Sequence, residues 1–499
     1  MQTAQDMPAP LRWWDHLAMN IYALGLSVSA GVITPVLLPY LVALFVAQEQ
    51  KNSYLATVRV VGLAVAMLVQ PLAGMLSDRS THPWGRRRPF IAAGTLLDLV
   101  FLLIIGASPL LVGSPLDDTL QARLGFSSAY GLLLLGIILL QASSNLAQGA
   151  FQGLIPDLVP VHQRGLSSGV KSVMELLPAV LVIFIGPLVD AGRVWLTVGI
   201  IGGSLTLTML VTLVGVRERP LTAPPRDDAR KQALRLLGLT FIFVSVTQAG
   251  VRLVRFGGLS LTARAFDLEL QVGIMGLAGL AAMAGAIFAG VYVGAWVGIG
   301  ERAREQRPFI WWVINRLLFL AAVGSIQGFA QFYLADVLKV SNPATSTTIL
   351  LAVVALFLIP SALGGGRLAD RYGRRRLVGA AGLGAFAGTL LLLSARSFPL
   401  VVISGCIIGL ASGVFMATSW ALGTDLAPPR EAGRYLGISN LAGAGAGIVG
   451  AGIGGPMADF FNRLSPGLGY LVIFAIYAGL FLISALTLRF IPETQQSSA

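Results

Sequence analysis

Long apolar stretches separated by short polar segments run through this chain. Each stretch holds roughly 20 apolar residues, enough for a helix to cross a hydrocarbon core about 30 Å thick. None shows the two-residue alternation of barrel strands, so we predict an all-α polytopic membrane protein. The twelve clearest predicted spans are residues 18–47, 54–77, 89–111, 128–152, 167–189, 193–216, 309–335, 346–366, 378–396, 399–423, 435–459 and 468–491.

Two further apolar runs follow a proline-containing basic segment in the middle of the chain. The second, "VGIMGLAGLAAMAGAIFAGVYVGAWVGIG", is long enough to span, whereas "LLGLTFIFVSVTQAGV" is marginal. Basic segments flank the pair on both sides and favour the cytoplasm, so an even number of crossings must separate them. We therefore predict 14 spanning helices, with 12 plus surface helices as the alternative. The predicted domains are an N-terminal six-helix bundle (1–216), a cytoplasmic linker (217–235), an inserted helix pair (236–300) and a C-terminal six-helix bundle (301–499).

The composition agrees with a membrane protein. Of 499 residues, 55% are hydrophobic and only 12% are charged, whereas a soluble chain carries about 25% charged residues. The formal charge of +12 is concentrated in arginines of short loops between apolar runs. Such charges normally stay on the cytoplasmic side and set the topology, so we exclude a nucleic-acid partner. We expect the protein in a bacterial plasma (inner) membrane, with both termini in the cytoplasm.

A basic loop occurs twice in the sequence. "GMLSDRSTHPWGRRRP" joins the second and third predicted helices, and "GRLADRYGRRRL" joins the same two helices of the second half. A second pair, "DLVPVHQRG" and "DLAPPREAGR", follows the fourth helix of each half. Matched loops in the same order indicate a duplicated six-helix unit, and parallel repeats of this kind build transporters.

The repeated loop resembles the signature of the major facilitator superfamily, Gly-x-Leu-x-Asp-Arg-x-Gly-Arg-Arg-Arg. The longer stretch "VQPLAGMLSDRSTHPWGRRRPFIAAG" is similar to that of the sucrose–proton symporters and their glycoside–cation symporter relatives. The resemblance covers both halves but not the inserted pair. It implies two six-helix bundles that carry a small solute by alternating access.

The charges of the repeated loops suit a gate. Asp78 and Asp370 lie at helix ends, where they can pair with arginines and with the N-terminus of a neighbouring helix. The alternative is that the arginines only set topology. The predicted gating residues are Asp78, Arg79, Gly85, Arg86, Arg87, Asp157, Arg164, Asp370, Arg371, Gly373, Arg374, Asp425 and Arg434.

Ionisable residues inside spanning segments are costly and are candidates for function. Lys171 and Glu175 are four residues apart and share a helix face, so Glu175 is a candidate proton or cation carrier tuned by Lys171. The alternative is a self-satisfied pair that packs two helices, and Asp98 is either a carrier or a hydrogen-bond partner between helices. The predicted substrate or coupling-ion residues are Asp98, Asn145, Gln148, Gln152, Lys171, Glu175, Arg316, Gln327, Gln331 and Trp420.

The chain departs from the family pattern in its coupling charges. The acidic residue and the arginine that the plant sucrose symporters carry in the fourth helix fall at Gln141 and Gln152. The paired aspartates of melibiose-type relatives are missing from the second helix. Either Glu175 or Asp98 replaces these groups, or the protein is a uniporter, or it does not transport sugar.

The leading hypothesis is a secondary transporter of a small polar solute, best a sugar or glycoside, with a proton as a coupling ion. A carrier of lysolipids or other amphipaths and a non-transporting scaffold subunit are the alternatives. An enzyme is not expected, because the sequence has no phosphate-binding loop, metal-spaced cluster or nucleophile–histidine pair. We expect no cofactor or metal. The expected partners are the small-molecule substrate and membrane lipid, and the inserted helix pair offers a surface to which a protein partner could bind.

Overall fold

A computed structural model of the protein describes residues 11–218, 229–263, 267–299, 306–426 and 432–492. Within these ranges the chain is helical and contains no strand, with short helices at Pro115–Leu124 and Gly186–Asp190. The long helices are α1 Trp13–Phe45, α2 Lys51–Asp78, α3 Arg88–Leu111, α4 Ser128–Leu158, α5 Arg164–Phe184, α6 Val194–Gly215, α7 Ala229–Ala263, α8 Leu268–Ile299, α9 Arg307–Asp336, α10 Pro343–Tyr372, α11 Arg374–Leu393, α12 Phe398–Leu426, α13 Ala432–Leu464 and α14 Leu468–Phe490.

The all-α polytopic architecture is confirmed. In the described residues, 13 helices are long and apolar enough to cross a membrane, and both inserted helices are among them. The remaining long helix, α13, has 33 residues and exceeds the length that a crossing requires. The structure is therefore consistent with 14 spans.

The chain divides into two compact units. The first comprises Met1–Phe45 and Val65–Ala233, and the second comprises Val46–Ala64 and Leu234–Ala499. The division falls within α2, so the first part of this helix belongs to the second unit. Both inserted helices also belong to the second unit. The sequence-based boundaries at residues 216, 235 and 300 are finer than this division and stay a prediction.

A cluster of buried side chains from α1, α3, α4 and α6 forms the core of the first unit. Tyr22 and Phe151 meet edge to face with ring centroids 5.3 Å apart, and Met209 packs in the same cluster. The Tyr22 hydroxyl hydrogen-bonds the Thr95 hydroxyl over 2.6 Å. This bond satisfies a polar tip at membrane depth, where an unpaired hydroxyl is costly.

Glycines allow close helix crossings at matching places in the two units. A Cβ on Gly149 of α4 would lie 2.3 Å from the carbonyl oxygen of Gln70 on α2. A Cβ on Gly413 of α12 would lie 2.3 Å from the carbonyl oxygen of Leu358 on α10. Small residues let backbones approach where van der Waals packing holds helices together in lipid. The fourth helix of each six-helix repeat therefore crosses the second in the same manner.

The inserted helices pack against α13 of the second unit. A Cβ on Gly445 would lie 2.6 Å from the Phe243 ring of α7, and one on Gly452 would lie 2.7 Å from Thr247. Conversely, the Met457 side chain of α13 occupies the space beside Gly279 of α8. The glycine-rich sequence of α13 therefore accommodates the bulky side chains of the inserted pair.

Candidate functional site

Arg87 links three helices of the first unit at the repeated basic loop. Its Nε donates to Asp157 Oδ2 over 2.9 Å, and its Nη1 donates to Ser77 Oγ over 2.6 Å. Its Nη2 forms an ion pair with Asp78 at the end of α2. Because Arg87 immediately precedes α3 while Asp157 lies in the last turns of α4, this one side chain fastens the ends of α2, α3 and α4.

A second arginine and an acidic cap complete this junction. Arg86 Nε donates to Asp157 Oδ2 over 3.1 Å, so the carboxylate accepts from two guanidinium groups. Glu218, which follows α6, accepts from the backbone N–H groups of Arg87 and Arg88 over 2.9 and 3.1 Å. A carboxylate at this position satisfies free N–H groups and complements the positive end of the helix dipole. Sequence reasoning did not identify Glu218.

Gly85 fits the same junction for two reasons. Its φ is +103°, a conformation that residues with a side chain rarely adopt. A Cβ there would also lie 2.4 Å from the Cβ of Glu218. Gly373 of the second unit has a φ of +90°, but a Cβ there would meet nothing within 4 Å.

The second unit repeats the ion pair. Arg374, the first residue of α11, donates from Nη1 to Asp425 Oδ2 at the end of α12 over 2.5 Å. The same Nη1 donates to the Ala421 carbonyl oxygen over 3.2 Å. Arg374 directly follows Gly373, as Arg86 directly follows Gly85. By position in the repeat, Arg374 and Asp425 therefore correspond to Arg86 and Asp157.

The other predicted gating residues lie nearby. Arg164 donates to the carbonyl oxygens of Pro156 and Val159 over 2.9 and 3.2 Å, which ties the start of α5 to the end of α4. Arg79 lies directly after α2, and the Arg371 guanidinium lies 5.5 Å from the ring centroid of Tyr372. The side chains of Asp370 and Arg434 lie outside the described residues.

Asp98 is completely buried between α3 and α4. Its carboxylate accepts hydrogen bonds from the hydroxyls of Ser143 and Ser144, the latter over 2.8 Å. Two donors from α4 therefore satisfy a carboxylate of α3. This arrangement is that of a hydrogen-bond partner between helices.

Lys171 and Glu175 form an ion pair on α5 with a separation of 3.3 Å. The Glu175 side chain is 45% exposed, compared with 25% for Lys171. Ser168 and Ser172 are also exposed and, with Glu175, follow a spacing of four and three residues on one helix face. A polar face on a spanning helix usually meets water or protein rather than lipid. Glu175 is therefore more accessible than Asp98.

The amide side chains of α4 follow one face of the helix. Asn145 is buried and donates to the Gln141 carbonyl oxygen over 2.8 Å. Gln148 is half-buried and Gln152, at the end of the regular helix, is exposed. Gln148 and Gln152 are therefore accessible, whereas the Asn145 amide is engaged within α4.

On α9 the predicted residues divide between the interior and an accessible face. Gln327 is exposed, whereas Gln331 is 4% exposed. Arg316 is 8% exposed, and its guanidinium carbon lies 5.1 and 5.9 Å from the ring centroids of Trp420 and Trp312. Trp420 of α12 is half-buried, so the structure brings Arg316 and Trp420 together.

A cluster of polar residues in the second unit was not identified from the sequence. Asp459 of α13 is 1% exposed and accepts from the backbone N–H groups of Asn52 and Ser53 over 3.1 and 2.7 Å. It caps α2 at the end predicted to face outward. Beside it, Lys51 Nζ lies 2.7 Å from the Asp336 carboxylate, which also accepts from a tyrosine hydroxyl of α14. A carboxylate inside the long apolar helix α13 was the sequence signal for this cluster.

Two family models match the chain. A model described as "MFS/sugar transport protein" matches residues 22–249, and one described as "Major Facilitator Superfamily" matches residues 312–499. Each falls on one sequence half, and together they leave out most of the inserted pair. Both descriptions are of transport proteins and not of enzymes.

Curated relatives match parts of the chain. A sucrose transport protein of Oryza sativa subsp. japonica is 34% identical over 113 residues, 22% of this chain and 21% of the relative. The general alpha-glucoside permease of Schizosaccharomyces pombe is 27% identical over 228 residues, 44% of this chain and 39% of the relative. The chain thus matches well under half the length of either relative.

Solved structures match nearly the whole chain in fold. The D-xylose-proton symporter gives a TM-score of 0.64 at 17% identity, covering 98% of this chain and 99% of that one. A peptide transporter in complex with sulfate also gives 0.64, at 14% identity, covering 98% and 96%. At these identities the likeness establishes the fold alone.

Proposed function

Because this chain belongs to the major facilitator superfamily, we propose that it is a secondary transporter of sugars or glycosides that works by alternating access. The observation that carries the proposal is the repeated ion pair, Arg86 with Asp157 and Arg374 with Asp425. The similarity to a sucrose transport protein and an alpha-glucoside permease supports the choice of cargo.

The geometry of the ion pairs suits a gate. Each pair holds the start of one helix to the end of another on the predicted cytoplasmic side. The partly exposed pairs contribute about 0.2–1 kcal/mol each after solvent screening. Interactions of this size bias an equilibrium between two conformations without locking it. We infer that the pairs stabilise the state closed to the cytoplasm and separate in the opposite state.

The amide and aromatic side chains are the proposed contacts for the cargo. Gln148 and Gln152 on α4 and Gln327 on α9 are accessible and carry both donors and acceptors. These groups suit sugar hydroxyls, and the half-buried Trp420 offers a face against which a sugar ring can pack.

Proton coupling is assigned to Glu175. Its carboxylate is accessible on a polar helix face and pairs with Lys171 at 3.3 Å. Asp98 is instead held by two serine hydroxyls between α3 and α4. We therefore propose that Glu175 carries the proton and that Asp98 positions α3 against α4.

The test is uptake of a radiolabelled sugar panel into proteoliposomes, with and without an inward proton gradient. We expect accumulation above equilibrium only when the gradient is present, and leakage alone in protein-free liposomes. Equilibration without accumulation would contradict proton coupling but keep the transport proposal. No flux of any sugar would overturn the proposal in favour of an amphipath carrier or a scaffold subunit.

A further inference from the structure

Arg316 has no described carboxylate partner in the second unit. The residue is 8% exposed, and its Nη1 atom is buried without a hydrogen-bond partner. Its recorded contacts are the aromatic rings of Trp312 and Trp420. A charged group at membrane depth normally pairs with an opposite charge, so this guanidinium calls for an explanation.

Snorkelling does not explain it. Arg316 lies nine residues after Arg307, the first residue of α9, which places it about 14 Å along the helix. The helix has 30 residues and is about 45 Å long, so a hydrocarbon core about 30 Å thick and centred on it would hold Arg316 roughly 6 Å inside its edge. An arginine that snorkels extends its charged end into water, whereas Arg316 is 8% exposed and its guanidinium lies against the rings of Trp312 and Trp420.

The nearby helices use their carboxylates elsewhere. On α9, Asp336 pairs with Lys51; on α12, Asp425 pairs with Arg374. On α13, the Asp459 carboxylate caps the start of α2. These three are the carboxylates described on α9, α12 and α13, so the described part of these helices leaves Arg316 uncompensated.

Arg316 nevertheless borders the accessible face of α9. Leu320, Val323, Gly324 and Gln327 lie at a spacing of three and four residues and are half-buried or exposed, in a helix that is otherwise largely buried. Arg316 precedes Leu320 by four residues and Gln327 by eleven, so it continues the same face. A solute that reaches this face meets the guanidinium at one end.

A second arginine adjoins the same face. Arg59 of α2, in the part that belongs to the second unit, donates from Nη2 to the Gly324 carbonyl oxygen over 2.9 Å. Its Nη1 atom is also buried without a hydrogen-bond partner. The accessible face of α9 therefore adjoins two guanidinium groups, each with an unsatisfied donor.

We propose that the transported solute is an acidic sugar or glycoside and that Arg316 binds its carboxylate while the ring packs against Trp420. A neutral hydroxyl would accept a hydrogen bond but leave the charge of Arg316 uncompensated. A carboxylate accepts the hydrogen bond, compensates the charge and matches the guanidinium in a bidentate geometry. This inference rests on the proposed function, because it names the class of sugar that the transporter takes.

The test measures how well two unlabelled sugars inhibit the uptake of a radiolabelled sugar into proteoliposomes. The two competitors are methyl α-D-glucopyranoside and methyl α-D-glucuronopyranoside, which differ at C6. We expect the uronide to compete about ten- to a hundredfold better with the unmodified protein. Arg316→Gln should abolish this preference, Arg316→Lys should retain part of it, and Arg396→Gln, at an exposed arginine after α11, should leave it unchanged.

Each outcome decides a different point. Equal competition by both sugars in the unmodified protein would overturn the inference while leaving the proposed function intact. A uronide preference that survives Arg316→Gln would overturn the assignment to Arg316. Failure of every sugar to be transported would instead overturn the proposed function. The comparison on the unmodified protein still decides the inference if Arg316→Gln does not fold.

Discussion

Arg374 at the start of α11 donates a 2.5 Å hydrogen bond to Asp425 at the end of α12. Arg86 and Asp157 occupy the corresponding positions in the first unit, where the bond measures 3.1 Å. The sequence repeat thus reappears as a repeated ion pair between the same two helix ends. The pairs differ in their surroundings, because the neighbouring Arg87 also contacts Asp157, Asp78 and Ser77. Within the described contacts, the first junction is the more extensive.

Removing the charge from either aspartate should weaken the gate. We expect Asp157→Asn and Asp425→Asn each to lower sugar uptake several-fold, because a loss of up to about 1 kcal/mol shifts the two-state population by that factor. Asp157→Asn should have the larger effect, since Asp157 accepts from two arginines. Initial uptake rates in proteoliposomes measure this, with Asp118→Asn, at an exposed position, as the control. Unchanged rates in both variants would contradict the gating role.

The glycines of the two loops should respond differently to alanine. Gly85→Ala combines a positive φ with a clash against Glu218, whereas Gly373→Ala has only the positive φ. The backbone strain alone costs about 1–3 kcal/mol. Thermal unfolding in detergent should therefore show a clearly larger loss of stability for Gly85→Ala. Equal losses of stability in the two variants would indicate that Glu218 does not lie against Gly85 in the protein.

Asp459 should stabilise the start of α2. We expect Asp459→Ala to destabilise the protein by about 1–3 kcal/mol, because the N–H groups of Asn52 and Ser53 lose a buried acceptor. Asp459→Asn retains one carbonyl oxygen and should lose less. Thermal unfolding of the two variants measures the difference. Stability equal to that of the unmodified protein in both would refute the cap.

Glu175 should be needed for coupling but not for exchange. We expect Glu175→Gln to abolish proton-driven accumulation while sugar exchange across the membrane continues, because the amide cannot take up or release the proton. Asp98→Asn is the matched comparison, and it should lower stability without uncoupling transport. Proton-driven accumulation by Glu175→Gln at the normal level would contradict the assignment.

The sequence was sufficient for the helices and for the repeat. The length of an apolar stretch predicts a span because lipid leaves few alternatives to a helix. The matched loops also predicted Arg87 and Asp157 as members of one gate. The two carboxylates that cap the starts of α2 and α3 were not predicted from the sequence. Asp459 lies 407 residues from Asn52, and Glu218 lies 131 residues from Arg87, so no local pattern relates either carboxylate to the helix that it caps.

Arg59 shows the same limit. It lies near the start of α2, and its guanidinium donates to the Gly324 carbonyl oxygen on α9, 265 residues away in sequence. Only the packed structure brings these groups together. Conversely, Arg316 and Trp420 were both predicted as substrate or coupling-ion residues, and the structure adds that the guanidinium carbon of Arg316 lies 5.1 Å from the ring centroid of Trp420.

Counterflow of a labelled sugar tests the central claim most directly, because it requires neither a gradient nor a coupling ion. Proteoliposomes are loaded with unlabelled acidic or neutral glycoside and diluted into a trace of the same labelled compound. An alternating-access carrier should concentrate the label transiently inside the vesicles, with an overshoot that Asp157→Asn diminishes. Entry of label at the rate of protein-free liposomes, for every glycoside tried, would contradict the account.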